Sequence, residues 1–476
     1  MADVIVLGDG LIELATALEF AEVGLAVEIF PHSVVGVGSA EAKASPHPLD
    51  DSDQAAVRDP DGVVREFLDH LAEPITPGSS GDERLRAREA PPASVLLRSH
   101  KGAWVLQPQP AVLGIPTVPL ASSSFAAIGT RAALRAGLDR VRPVLTIGKT
   151  HELGILVRSR MGRVARERFL DPFAWEVFGV DADVIDVTLA APGLNEALTR
   201  VGTLSGAVLD CAERIVARET RVAPAAGWAE LRDALIVRLG FYDVTFADVP
   251  AQSVTPGASD GWIVRAHDSW PDSADASASK VSAEAAATSH HARALVLGAR
   301  HEAAPLVGVD LANLLSAPRR ELGSIEIADP ELPDFAPDGP ALQLVSAGPD
   351  EASSVRIERR PNSSGQRWVA IVAGPARDAV ESAASVEELR ERVRDAVAAA
   401  GETPIGESFA NSMPVAPYAS VERREAEARG LEAWLDSNER QLPVGTALHG
   451  GELAAALADA RKRAVVLRRS LTGISE

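Results

Sequence analysis

The sequence predicts an α/β plus α+β chain: a Rossmann-like domain assembled from separated segments, an antiparallel sheet, and a run of helices between them. Three observations predict it. Residues 3–30, "DVIVLGDGLIELATALEFAEVGLAVEIF", have the layout strand, glycine turn, helix, strand. The chain closes on "LPVGTALHGGELAAALADARKRAVVLRRSL", a second strand, glycine turn and helix. Between Ile325 and Val372 the runs "LQLVSA", "SVRIERR" and "WVAIVA" alternate with turn residues, as antiparallel strands do.

Val4 to Leu7 is apolar and ends in Gly8, as a buried parallel strand does. Leu11, Leu14, Ala15, Leu18 and Ala21 follow at helical spacing, and Gly24 closes that helix. Ala26 to Phe30 is a second strand, stopped by Pro31; the right-handed crossover of such a unit makes the sheet parallel. Pro31 to Pro60 is polar and predicts a long surface loop. Asp61–Leu71 predicts a helix, Arg84–Arg98 a charged connector, and the Pro-punctuated Trp104–Pro119 an extended segment. Ala126–Val141, Leu153–Val177, Leu204–Arg218 and Ala225–Leu239 have helical spacing. Val244–Phe246 and Trp262–Ala266 predict short strands, and Pro271–Ala292 a solvated Ser/Ala/Asp insertion. Ala294–Leu297 is a clean apolar strand ending in Gly298. Ser385-Val386-Glu387-Glu388 is a capping box that opens a helix to Ala400.

Composition narrows the function classes. With 476 residues there is room for two or three domains and a substantial core. The net charge of −20 argues against nucleic acid, whose phosphates need basic partners, and against docking on anionic lipid by charge alone. No apolar run approaches the ~18 residues that span a bilayer, and the N-terminus lacks a basic signal region. The expected location is therefore cytoplasmic. The single cysteine, Cys211, excludes an internal disulfide and a cysteine-based metal site; no metal is expected.

The glycine turns are the candidate cofactor site. A helix N-terminus presents unpaired N–H groups and a dipole that favours anions, and glycines let the backbone approach a pyrophosphate. Gly8 and Gly10 supply two such glycines. The third position holds Glu13, and Asp9 adds another anion. A carboxylate about 5 Å from a phosphate charge costs about 3 kcal/mol at an effective dielectric of 20. The acid that binds a ribose normally ends the second strand; Pro31 stands there, with Glu28 three residues earlier. At the other end, Gly445, Gly450 and Gly451 aim a second helix at the same place, an arrangement typical of FAD proteins.

The segment "LGILVRSRMGRVARERFLDPFAWEVFGVDADVIDVTLAAPGLNEALTRVGTLSGAV" (153–208) resembles the helical domain of the protoporphyrinogen/coproporphyrinogen oxidase family through Val157, Arg158, Arg160, Gly162, Asp171, Pro172, Val177, Phe178 and Asp181. "GAWVLQPQPAVLGIPTVP", "ARALVLGARHEAAPLV" (292–307) and residues 412–464 resemble other segments of that family, in the same order. The resemblance implies a flavin amine-oxidase fold with an FAD domain, an antiparallel substrate domain and a helical domain. It implies FAD, a porphyrinogen as substrate, O2 as acceptor, and a place in heme synthesis. The expected segments are 1–75 for the first FAD-type unit, 76–215 for the helical and substrate side, and 216–310 for the second FAD-domain unit with its insertion at 271–292. The antiparallel sheet is expected at 311–410 and the last FAD-domain unit at 411–476.

The departures from that family cluster on the segments that would face the flavin. Its R-x-G-G stretch is missing: Gly36-Val37-Gly38 is the only glycine remnant, and no arginine lies between Glu28 and Arg58. The two glycines expected before the central helix are Ala226-Gly227, and a histidine expected near the end is Glu422. This pattern opens a second reading, a non-catalytic relative that has lost FAD and binds a porphyrin or a partner. Arg158 and Arg160 are candidate partners for porphyrin propionates, since guanidinium suits carboxylates. No residue pattern identifies a catalytic acid, base or nucleophile. His32 and His47 flank the altered loop, and His290-His291 fall in the low-complexity insertion, where a flexible surface is expected.

Overall fold

The computed structural model describes residues 1–32, 56–76, 78, 80–142, 151–257, 261–267, 287–299, 306, 308–311, 314–315, 318–336, 339–346, 352–362, 365–377, 385–414 and 419–473. Strand β1 (Ala2–Leu7), helix α1 (Leu11–Ala21) and strand β2 (Val27–Phe30) form the predicted parallel unit, with Val4 against Val27 and Leu7 against Phe30. On its other side β1 pairs in parallel with β3 (Ala287–Gly298), and β3 pairs in parallel with β4 (Gln441–Val444). Thr245–Phe246 extends the parallel sheet beyond β2, while the antiparallel strands 262–267 and 251–256 hang from the first half of β3. One sheet is therefore drawn from the start, the middle and the end of the chain.

Alternation along β1 and β3 explains why both faces of this sheet are buried. Val4, Val6, Ala294 and Val296 face one side and pack with α1, helix 63–72, α2 (Trp228–Gly240) and α3 (Leu453–Thr472). Ile5, Leu7, Leu295 and Leu297 face the other, with Phe30, Val254 and Val264. Sheets covered on both faces need such continuous apolar runs.

A second sheet runs in the order 409–414, 319–327, 365–377, 352–362, 341–346, 96–98, 104–106, antiparallel except where 341–346 meets 96–98. Helix 386–399 covers it through Leu389, Val393 and Val397; Ser385 and Glu388 form the expected capping box. The helices between residues 122 and 219 share a core of their own around Leu153, Met161, Phe169, Leu194 and Val208. The predicted fold class is the one observed.

Local departures have physical causes. The connector expected at 84–98 contains two strands, 87–90 and 96–98, which pair with 221–224 and 341–342. Strands of three or four residues carry too little alternation to be read locally. The helix expected over 153–177 is interrupted at Gly162 (φ 96°), and a π-turn at Arg166–Leu170 precedes helix 171–178. The helix expected over 126–141 restarts at Gly129 (φ 79°). His290 and His291 belong to β3, not to a flexible insertion: His290 Nδ1 stands 2.8 Å from Glu28 and its ring meets Phe30 edge-on. His47, Gly36 and Gly38 lie outside the described residues.

Candidate functional site

In an open parallel sheet the ligand crevice lies beyond the carboxyl ends of the strands, where the strand order reverses. Here that place is the end of β1, flanked by β2 and β3. Gly8, Asp9 and Gly10 follow β1, Pro31 and His32 follow β2, and Gly298 closes β3. Gly445 follows β4, with Gly450 and Gly451 before α3. The two sets of glycines predicted from sequence thus follow neighbouring parallel strands, on either side of the β3 terminus.

The crevice is lined by the chain's own charged side chains. Glu13 is 4% exposed, and its carboxylate stands 3.4 Å from His32 Nε2. Both groups lie directly on the glycines. A Cβ on Gly8 would come within 2.5 Å of His32 Nε2, and one on Gly298 within 2.5 Å of both Glu13 Oε1 and His32 Nε2. Gly8 also has φ 133°, which a side chain rarely adopts. Asp9 accepts the His32 backbone N–H at 3.3 Å and an Arg232 Nη2 bond at 2.8 Å; both side chains are largely buried.

The second helix end is filled in the same way. Glu452 is the N-cap of α3, and Arg58 Nη1 donates to it at 2.9 Å. Arg58 Nη2 donates to Glu219 at 2.7 Å, so one guanidinium holds two carboxylates. Arg232 and Arg58, which no local pattern singles out, are hence the partners of Asp9 and Glu452. Arg232 is 223 positions from Asp9, which leaves no local signal.

These residues do not fit an FAD pyrophosphate. A glycine of such a turn admits phosphate by leaving its Cβ position open, and at Gly8 that position is taken by the His32 imidazole and the Glu13 side chain. The charged groups on the turn itself, Asp9 and Glu13, are both anions.

Arg158 and Arg160 lie on helix 153–161 of the helical region. Arg158 donates to Asp183 at 3.0 Å and is exposed. Arg160 is 5% exposed, donates to the Arg142 carbonyl at 2.8 Å and stands 3.5 Å from Asp139. Glu422, with Glu152, Asp183, Asp186 and Glu425, lines an open acidic recess of about 570 Å³ beside this helix.

In the same region Arg166 bonds Asp171, Asp181 and Asp183. Burial pushes the Asp171 carboxyl up to about 6 against the pull of Arg166, and the Asp181 and Glu167 charges add to the rise. A carboxyl bound more tightly to its proton in the folded state favours folding below its ordinary range near pH 4. That contribution disappears as pH rises through 6. At neutral pH ionised Asp171 therefore costs up to about 3 kcal/mol. Asp171→Asn should raise the melting temperature at pH 8 by several degrees and leave it nearly unchanged at pH 4. Calorimetry across that range checks it; a lower melting point at pH 8 would show that the Arg166 bond outweighs burial.

No family model matches the chain, and no curated protein matches it in sequence. Solved structures do match in fold. One is a protein assigned as a protoporphyrinogen oxidase from Exiguobacterium, at 12% identity and a TM-score of 0.63, covering 98% of this chain and 99% of that one. A fatty acid isomerase from P. acnes that produces CLA matches at 12% identity and a TM-score of 0.53, with 98% of each chain covered. An oxidoreductase from Methanosarcina mazei matches at 11% identity and a TM-score of 0.51, covering 97% of this chain and 100% of that one. An isomerase stands among these relatives in shape, so the fold alone does not fix the reaction. The chain has, over nearly its whole length, the fold of flavin-dependent oxidoreductases.

Proposed function

We propose that this protein is a non-catalytic relative of the flavin-dependent porphyrinogen oxidases, which keeps their fold, holds no FAD in the dinucleotide crevice, and acts by binding a porphyrin-type molecule or a protein partner. The observation that carries this reading is the Glu13–His32 pair seated on Gly8 and Gly298. A pyrophosphate would have to displace the buried Glu13 carboxylate and the His32 ring it meets, and then sit beside Asp9. The expected result is a purified protein without flavin absorbance, which gains none on titration with FAD. Flavin bands that appear on the native protein and are released by denaturation would overturn it.

The second reading is an active oxidase that converts a porphyrinogen to a porphyrin with FAD and O2. The resemblance over residues 153–208 and the full-length likeness to the Exiguobacterium protein favour it. The double variant Glu13→Gly/His32→Ala tests the physical basis of the choice. Removing the crevice-facing carboxylate and imidazole should tighten FAD binding at least tenfold, since the ~3 kcal/mol of charge repulsion is relieved. Equal, measurable affinity in both proteins would mean that the pair does not guard the crevice.

A further inference from the structure

Helix 421–437 is 17 residues long, yet Leu431 is its only buried side chain. Its two halves are held differently. In the second half Leu431 is buried, Trp434 packs against the outer face of the parallel sheet, and Glu432 accepts an Arg463 bond at 2.9 Å. In the first half no side chain from Val421 to Arg429 is buried. That half is supported from within by the pairs Arg423–Glu427 and Glu425–Arg429, each at 3.6 Å. It is fastened to the helical region at its tip. There Asp186 accepts the Val421 N–H at 2.6 Å and donates its own N–H to the Ala419 carbonyl at 2.8 Å.

Gly430 stands at the boundary between the halves. A glycine inside a helix weakens it, because the backbone gives up the most freedom there. Such a glycine is ordinarily explained by packing that leaves no room for a Cβ, or by a left-handed backbone. Neither applies to Gly430: a Cβ there would meet nothing within 4 Å, and its φ is not positive. What it supplies is a soft point in the helix. The half before it is also one wall of the acidic recess. Glu422 and Glu425 line that recess together with Glu152, Asp183 and Asp186 of the helical region, so both walls carry the same charge.

We propose that residues 421–429 are a flap, hinged at Gly430, that opens and closes the recess. Two opposed effects set its position. The bonds at Asp186 hold the tip down, and like charge on the two walls pushes it away. No buried side chain of the flap has to be exposed when it lifts, so the motion forfeits little apolar burial. The second half stays seated through Leu431, Trp434 and the Arg463–Glu432 pair. This inference is independent of the state of the dinucleotide crevice.

Distances between two spin labels on the full chain test it. The labels go on Ala426→Cys in the flap and Thr188→Cys in the helical region, both exposed; the native Cys211 is fully buried and stays unlabelled. Two distances are expected, the longer one from the open flap. Gly430→Ala should cut the open fraction at least threefold by stiffening the helix. Glu152→Lys, at an exposed site off the flap, should cut it too by placing a cation between the two acidic walls. Asp186→Ala should raise it at least threefold. A label at Asp436 in place of Ala426 should keep one distance, because the second half does not move. A single distance from Ala426 in every variant would overturn the proposal, as would an open fraction that Gly430→Ala leaves unchanged. Two distances from Asp436 would overturn the hinge, since the whole helix would then be moving. If Asp186→Ala lowers the melting temperature, Glu152→Lys still decides: an unchanged open fraction there would show that the flap does not close on this recess.

Discussion

Arg320→Met is expected to destabilise the protein by about 3–5 kcal/mol, the loss typical when a buried charged donor set is removed. Arg320 is 4% exposed, on strand 319–327 of the antiparallel sheet. Its guanidinium donates to the carbonyls of Trp175 at 2.8 Å, Glu176 at 2.9 Å, Val177 at 3.3 Å and Gly374 at 3.2 Å. Three of these belong to the last turn of helix 171–178, where Trp175 also accepts the Gly179 N–H at the cap. One side chain therefore ends a helix of the helical region and fastens it to the sheet. Burial pushes Arg320 down to about 10, so it remains a cation at neutral pH and complements the negative end of the helix dipole. Methionine fills the volume but donates nothing, so the carbonyls of Glu176, Val177 and Gly374 lose the bonds from Arg320 while Trp175 keeps only the Gly179 N–H. Calorimetry should show the melting temperature lower by roughly 6–20 °C, scaling from 2–4 °C per kcal/mol in large domains. Arg320→Lys should recover only part, because an ammonium cannot span four carbonyls as a planar fork does. A loss below about 1 kcal/mol would show that water satisfies the helix end instead.

The parts of the fold that were legible in the sequence are those specified by local pattern. The unit Val4–Phe30, the capping box at Ser385 and the apolar alternation of the antiparallel strands each follow from neighbouring residues. What could not be read was set by partners far along the chain. His290 looks like low-complexity surface until β3 brings it to Glu28 and Phe30. Strand 87–90 exists only because 221–224 lies beside it. At the candidate site the glycines were legible and so was the misplaced Glu13. The meaning of Glu13 was not, because its neighbour His32 comes from the end of another strand. Asp9 and Glu452 likewise acquire their cations from residues 232 and 58.

Those two pairs lead to the prediction for Arg58. It is expected that Arg58→Met costs about 2–3 kcal/mol, slightly less than for a fully buried pair because the Arg58 side chain keeps 24% of its exposure. The variant leaves Glu219 and Glu452, both largely buried, facing the same empty cation position. Glu452→Gln alone should cost about 1 kcal/mol, since Arg58 keeps Glu219 and the amide oxygen can still accept from Arg58. The combined variant Arg58→Met/Glu452→Gln should be more stable than the sum of its parts by about 1 kcal/mol or more, because one of the two orphaned carboxylates is gone. Strict additivity would mean that Arg58 acts by packing alone. In the reading proposed above, the same chemistry would stand in for a bound phosphate. Where a helix N-terminus would take an anion from a ligand, this chain supplies Asp9 at one end and Glu452 at the other, each neutralised by an internal arginine. On the proposed reading, such a protein gains nothing from a dinucleotide. Added FAD should therefore leave its melting temperature unchanged, whereas a specific ligand at a hundred times its Kd would stabilise it by about 2.7 kcal/mol.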